Sequence, residues 1–207
     1  MNKLKWLVII VALHFGCKKE LPKTATVAIE HAVKAKAIEA LTYCKTNKMN
    51  EDFCILIDMG THSGRKRFFV YDFKTQTITH RFLVSHGCCN SIWGQDFTRE
   101  NTGFSNVNDS HCSSIGKFKI GNRGFSNWGI NVNYLLHGLE STNDNALARV
   151  IVFHSWEKVP DHEIYPSGTP EGWGCPAISN AKFRSIDPLL KKAKKPVLMW
   201  IYNRKND

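Results

Sequence analysis

Short apolar runs separated by polar turns are the feature that most restricts the fold of this chain. Residues 54–58, 67–72 and 77–85 each form a strand-length run rich in β-branched and aromatic residues. The connections between these runs are short, so we expect an antiparallel meander and not βαβ units. Further strand-like runs lie at 116–120, 134–136, 149–153 and 196–202. The sequence therefore predicts a mainly β fold with a few helices.

Two segments have the spacing of an α-helix instead. Between Thr26 and Thr46, apolar residues recur at steps of three and four, with lysine and glutamate between them. A second amphipathic helix is predicted from Ala181 to Ala193, interrupted early by Pro188. Residues 140–148 are interpreted as a loop that enters a short helix. We expect a tether and N-terminal helix over 18–50, followed by the main domain over 51–207.

Length and charge narrow the class of protein. A chain of 207 residues with 43% hydrophobic and 22% charged residues is long enough for one main domain plus an extension. The formal net charge of +10 favours an anionic partner. The densest basic run, 191–195, is expected to be a solvated helix end. No zinc-finger, helix-turn-helix or RNA-binding signature accompanies the charge, so nucleic acid is not a predicted partner.

The N-terminus has the pattern of an export signal. Two lysines precede an apolar run at 6–15, which is too short to span a bilayer as a helix. Gly16-Cys17 follows this run and resembles the cleavage site of a bacterial lipoprotein signal, in which the cysteine is acylated. The departure is His14, where an aliphatic residue is usual. We expect a signal segment over 1–17, lipidation of Cys17, and a periplasmic or cell-envelope protein anchored to a membrane.

A cysteine between glycine and proline is the strongest candidate for chemistry. Gly174 lets the backbone approach a neighbour closely, and the proline after Cys175 fixes the following φ angle. This arrangement can hold a thiolate beside backbone N–H groups that receive negative charge, for which Gly174 and Cys175 are the candidates. His154, 21 positions upstream at the end of the run 149–155, is the candidate base. Ser155 is the candidate to orient the imidazole. The alternative is that His154 only ends a strand and Cys175 is a small buried residue.

The other cysteines are interpreted in the light of export, which permits disulfides. Without Cys17 and Cys175 an odd number remains, so at least one is unpaired or pairs between chains. These five are Cys44, Cys54, Cys88, Cys89 and Cys112. A loop disulfide from Cys112 to Cys88 or Cys89 is favoured, although connectivity cannot be deduced from sequence. Regular metal-ligand spacing is absent from the sequence, so we predict no metal and no cofactor.

Residues 86–128 are rich in glycine, asparagine and serine, with aromatic residues interleaved. One interpretation makes these aromatic residues ordinary core. The other makes some of them the walls of an open groove for an extended polymer.

Seven ordered segments give the chain a family resemblance that covers roughly residues 51–203. They are Val84-Ser85-His86-Gly87, Gly103-Phe104-Ser105-Asn106, Ser113-Ser114-Ile115-Gly116-Lys117-Phe118, Leu136-His137-Gly138-Leu139-Glu140, Asn143-Asp144-Asn145-Ala146, Arg149-Val150-Ile151-Val152-Phe153-His154 and Trp173-Gly174-Cys175-Pro176-Ala177. Together they resemble the murein L,D-transpeptidase catalytic domain, in the branch whose motif ends in Gly-Cys-Pro-Ala.

The resemblance implies a β-sandwich or barrel catalytic domain that acts on peptidoglycan stem peptides. It implies that Cys175 attacks the carbonyl that precedes a terminal D-alanine, with His154 as the base and Ser155 as its orienting residue. Trp173 stands where many relatives carry a histidine and is assigned to substrate binding. His137 and Arg149 match recurrent family positions and are candidates to bind a substrate carboxylate; a structural role is the favoured alternative for His137.

Three functions stay open at this point. The first is transpeptidation through a Cys175 thioester, and the second is hydrolysis of the same bond by an L,D-carboxypeptidase. They differ in whether an amine or water captures the thioester. The third is a non-catalytic lipoprotein that binds the cell wall.

Overall fold

A computed structural model describes residues 23–205 of the chain, with side chains from residue 27 onward. The predicted signal segment 1–17 and the lipidation site Cys17 lie outside these residues. The elements, in chain order, are α1 (Lys23–Thr46), β1 (Phe53–Asp58), β2 (Phe68–Asp72), β3 (Thr77–Phe82), β4 (Gly116–Phe125), β5 (Val132–Gly138), β6 (Val152–Ser155), β7 (Ala177–Ile178), α2 (Asn180–Lys192) and β8 (Leu198–Tyr202).

The eight strands form one sheet in the order β3-β2-β1-β8-β4-β5-β6-β7. The predicted meander is confirmed, because β1 pairs with β2 and β2 with β3, both antiparallel. The two ends of the sheet approach each other beyond β3, where the Ser85 N–H donates to the Ala177 carbonyl at 2.9 Å. The sheet is therefore a nearly closed barrel, and the mainly β prediction is confirmed.

Strand β1 is buried on both faces, because one helix covers each side of the sheet. Ile55 and Ile57 face the main core, which also receives Phe183 and Ile186 from α2. The alternate residues of β1 face a second core under α1. That second core is built from apolar residues of α1 and three strands, including Val33, Ala37, Ala40, Cys44, Leu56, Phe69 and Leu198. The helix predicted at 26–46 thus packs against the domain.

Helix α2 begins one residue before the predicted start, and Ser179 caps it by accepting a hydrogen bond from the Lys182 N–H. The predicted interruption at Pro188 is wrong, because the helix continues to Lys192. Proline removes the N–H that would bond to the carbonyl of Arg184, four residues earlier. Arg184 lies on the exposed face, where water can take the place of that donor. Within residues 23–205, neither helix combines the length and apolar character that crossing a membrane requires.

The predicted strand over 149–153 is wrong in its first half. Strand β6 begins at Val152, and His154 lies inside it instead of at its end. Val150 and Ile151 close a turn, in which their N–H groups donate to the carbonyls of Leu147 and Ala146 at 3.0 and 2.9 Å. Val150 has a φ of 54°, in the left-handed region, so the strand cannot start before this residue.

Candidate active site

Parallel pairing of β6 with β7 brings the candidate nucleophile and base to one wall of the barrel. His154 pairs with Ala177, which follows Cys175 by two residues. The His154 and Cys175 side chains both line a small cavity of about 110 Å³. Its lining residues are Ser85, Trp93, Trp128, His154, Trp156, Gly172, Trp173, Cys175 and Ala177.

The Cys175 thiol is partly buried and has two backbone partners. Its sulfur accepts a hydrogen bond from the Val152 N–H at 3.4 Å, and its S–H donates to the Val150 carbonyl at 3.7 Å. Desolvation raises the pKa of this thiol, while the Val152 N–H and the positive charge of Arg149 act in the opposite direction. The net shift is upward, so the thiol is mostly protonated at neutral pH and needs a base to become a nucleophile.

The His154 imidazole is oriented by the backbone of the residue that follows it. Its Nδ1 lies 2.9 Å from the Ser155 carbonyl oxygen, which can only accept, so Nδ1 carries the proton. In the neutral ring Nε2 is then the acceptor, as a general base requires. Burial lowers the pKa of His154, against smaller upward effects of the Ser155 carbonyl and Glu157, so the ring is neutral at pH 7.

Ser155 has a second contact that ties the site to a neighbouring loop. Its hydroxyl accepts a hydrogen bond from the Ile130 N–H at 2.9 Å. A side chain at Gly129, which has a φ of 60°, would collide with this serine. The loop that carries Trp128 is therefore packed directly against the strand that carries His154.

Gly174 occupies a position that only glycine fits. Its φ is 101°, and a Cβ there would collide with the Cys112 carbonyl oxygen. Ser113, which is fully buried, donates its hydroxyl to the Gly174 carbonyl at 3.3 Å. The Gly174 and Cys175 N–H groups have no acceptor among residues 23–205. Of these two residues, Cys175 lines the cavity.

A disulfide joins Cys89 to Cys112, whose carbonyl oxygen lies against Gly174. Cys44, Cys54, Cys88 and Cys175 are free thiols.

We expect the Cys89→Ser/Cys112→Ser protein to lose about 3 kcal/mol of unfolding free energy, since the bond closes a separation of 23 residues. Urea denaturation measures this loss. Wild-type protein denatured with a reductant should behave like the variant, and equal midpoints with and without the reductant would contradict the prediction.

Arg149 is close enough to Cys175 for its charge to act on the thiol, and it binds the segment 105–114. Its guanidinium donates to the carbonyls of Ser105 and Cys112 at 2.6 and 2.7 Å, and to the hydroxyls of Ser110 and Ser114. These contacts engage both terminal nitrogens of the guanidinium, and binding of a substrate carboxylate by Arg149 stays a prediction. Burial lowers the pKa of Arg149, partly offset by the nearby Cys175.

The other two predicted substrate-binding residues lie in different places. Trp173 is 61% exposed, lines the cavity and stacks on His111 with ring centroids 5.1 Å apart. His137 lies on β5 and lines a separate hollow with Lys119 and the end of α2, away from Cys175. The structure therefore brings Trp173 to Cys175 and leaves His137 apart from it.

Two features of the candidate site were not predicted from the sequence. Trp156, directly after β6, lines the cavity, and the only sequence signal for this is its position beside Ser155. Val150 is β-branched and favours a strand, yet its left-handed backbone turns its carbonyl toward the thiol.

The backbone of Val150 permits a direct test. A non-glycine residue in the left-handed region costs about 1–2 kcal/mol, whereas glycine loses only about 0.4–1 kcal/mol through chain entropy. We expect Val150→Gly to be about 0.5–1 kcal/mol more stable than Val150→Ala, because Val150 is 69% exposed and contributes little burial. Chemical denaturation measures the difference. An alanine variant at least as stable as the glycine variant would contradict the claim that the backbone at Val150 is strained.

The family model for the L,D-transpeptidase catalytic domain matches residues 25–202 of this chain. No curated protein sequence matches the chain. Among solved structures, Bd1075 of Bdellovibrio bacteriovorus is similar at 14% identity and a TM-score of 0.44, over 76% of this chain and 49% of that one.

Two further structures are similar to a comparable degree. The helical cell shape determining protein Pgp2 of Campylobacter jejuni has 13% identity and a TM-score of 0.43, over 74% of this chain and 49% of that one. The L,D-transpeptidase of Xylanimonas cellulosilytica has 11% identity and a TM-score of 0.40, over 72% of this chain and 60% of that one. The chain thus spans about half the length of the first two structures. With a family model that matches from α1 to β8, the chain belongs to the L,D-transpeptidase catalytic domain family.

Proposed function

We propose that this protein is an exported cysteine acyl-transfer enzyme that acts on peptidoglycan stem peptides by L,D-transpeptidation. One observation carries the proposal: a thiol and a neutral imidazole, whose Nε2 has no hydrogen-bond partner among residues 23–205, line the same small cavity. Family membership supports a peptidoglycan substrate. The net charge of +10 suits stem peptides, which carry free carboxylates.

The first half-reaction forms a thioester. The Cys175 S–H gives up its contact with the Val150 carbonyl, and its proton passes to Nε2 of His154. The sulfur attacks the carbonyl that precedes the terminal D-alanine. The Gly174 and Cys175 N–H groups stabilise the resulting oxyanion. His154 then gives its proton to the departing amine, the C–N bond breaks, and D-alanine leaves.

The second half-reaction regenerates the thiol. An acceptor amine attacks the thioester carbonyl while His154 takes a proton from the nitrogen. The C–S bond breaks, the proton returns to the sulfur, and a new amide links the two stems. Water in place of the amine would give an L,D-carboxypeptidase, which trims the stem.

Incubation with tetrapeptide muropeptides tests the proposal. We expect cross-linked or amino-acid-exchanged products together with free D-alanine, resolved by chromatography and mass spectrometry. Trimmed tripeptides alone would assign the protein to the carboxypeptidases. If neither product forms above the uncatalysed rate, the protein is a non-catalytic cell-wall-binding member of the family.

Export and lipid attachment belong to the same proposal. The Cys89–Cys112 disulfide supports export, because such bonds persist in oxidising compartments. The lipoprotein-like pattern at Gly16-Cys17 supports acylation of Cys17 and attachment to a membrane of the cell envelope.

A further inference from the structure

Four of the chain's six tryptophans form a cluster around the candidate active site. We call Trp93, Trp128, Trp156 and Trp173 the indole wall. The ring centroids of Trp93 lie 6.1, 5.5 and 6.4 Å from those of Trp128, Trp156 and Trp173. Only Trp156 is buried, and the other three are 38%, 44% and 61% exposed. The wall therefore presents large flat apolar surfaces at the mouth of the Cys175 cavity.

The loop that carries Trp93 is fastened to the segment that precedes Cys175. The Glu171 carbonyl accepts a hydrogen bond from the Gly94 N–H at 2.9 Å, and the Glu171 N–H donates to the Gln95 carbonyl at 2.8 Å. Its buried carboxylate accepts from the Thr98 N–H and hydroxyl at 2.5 and 2.9 Å. The Trp128 loop is likewise fastened to β6 through Ser155. Exposed indoles held in this way are preorganised for a ligand, since little conformational entropy is left to lose on binding.

The charge beside the indole wall restricts the class of ligand. The Lys158 ammonium lies over Trp93, 4.8 Å from the ring centroid, and 5.8 Å from that of Trp156. A second cation on these faces would be repelled. A pyranose ring suits both features, because its C–H face packs on an indole while its hydroxyl oxygens can accept hydrogen bonds from an ammonium.

The distances at the wall suit a sugar joined to a stem peptide. The Trp93 centroid lies 6.4 Å from that of Trp173, which precedes Cys175 by two residues, and 6.1 Å from that of Trp128. Three residues of extended chain span about 10 Å. A saccharide at the start of the stem would therefore lie near the indoles when the third residue's carbonyl is at the sulfur.

From these observations we propose that the indole wall is a saccharide subsite, which binds the glycan-derived sugar attached to the stem peptide. The inference rests on the proposed function for the identity of the attached peptide. It adds that the protein distinguishes sugar-bearing muropeptides from free stem peptides.

The test measures binding to the full chain carrying Cys175→Ala, which prevents turnover. Calorimetry compares the free tetrapeptide with the same tetrapeptide bearing its disaccharide. We expect the sugar-bearing ligand to bind roughly tenfold more tightly, the size of one ring-stacking contact. In Trp93→Ala and Trp128→Ala the affinity ratio should fall to roughly one. Phe125→Ala removes an aromatic ring that is 72% exposed but lies outside the wall, and it should keep the original ratio.

A ratio near one in the parent protein, or an unchanged ratio in both tryptophan variants, would overturn the inference. Thermal unfolding of each variant checks that the ratio is measured on folded protein, and Trp128→Phe, which keeps a ring, should retain part of the preference. The peptide-free disaccharide separates this inference from the proposed function. If it binds in a Trp128-dependent manner while muropeptides yield no product, the saccharide subsite stands and the enzymatic proposal fails.

Discussion

Replacement of His154 by asparagine is expected to slow acylation of Cys175 at pH 7 by roughly 10²–10⁴-fold. The reason is the raised pKa of the thiol, which leaves little thiolate at neutral pH without a base. Asparagine preserves a donor for the Ser155 carbonyl but has no basic nitrogen, so it keeps the local hydrogen bond and removes the proton acceptor. The rate constant for loss of free thiol with a β-lactam of the carbapenem class measures the effect.

The pH dependence adds a second, independent readout. Burial lowers the pKa of His154, so the wild-type rate should decline only on the acid side of the ordinary histidine value of 6.5. In His154→Asn the rate should instead rise with pH toward the raised pKa of the thiol. The exposed His162 is the matched control, and His162→Asn should keep the wild-type rate and profile. A His154→Asn protein with an unchanged profile would remove His154 from the mechanism.

Replacement of Cys175 by serine is expected to abolish thioester chemistry, with a fall in product formation of roughly 10⁴-fold or more. A hydroxyl is far less acidic than a thiol, so the same imidazole generates far less of the attacking anion from serine than from cysteine. The change is nearly isosteric, so the hydrogen bond from Val152 can persist and the fold should not change. Release of D-alanine from tetrapeptide muropeptides measures the loss.

The matched control for this variant is Cys88→Ser. Cys88 is also a free thiol and is buried beside the disulfide, but it does not line the cavity. Its replacement should leave D-alanine release within about twofold, because a residue outside the reacting atoms contributes only through stability. Residual activity in Cys175→Ser close to that of Cys88→Ser would mean that another group performs the reaction.

Much of the fold was predictable because its strands and helices have regular local patterns. The runs that became β1 to β3 alternate or are continuously apolar, and the α1 pattern recurs at steps of three and four from Ile29 to Cys44. Strand β7 was not predictable, since two residues cannot establish a period. The start of β6 was misplaced because Val150 and Ile151 favour strands locally, whereas the Ala146 and Leu147 carbonyls hold them in a turn.

The candidate site was predictable in its chemistry but not in its surroundings. Cys175, Gly174 and His154 have residue types and sequence neighbours from which candidate roles can be predicted. The hydrogen bonds from Arg149 to segment 105–114 could not be predicted, since those contacts span 35 to 44 positions. The tryptophans of the indole wall come from four separate loops and strand ends, so no spacing in the sequence unites them.

The central claim is that Cys175 is an activated nucleophile, and covalent labelling by a carbapenem tests it most directly. Trypsin should release residues 159–182 as one peptide, in which Cys175 is the only cysteine. We predict that intact protein at pH 7 gains the mass of one inhibitor molecule and that this peptide carries it. Folded protein that gains no mass, or that carries the inhibitor on a peptide containing Cys88 in place of Cys175, would contradict the claim.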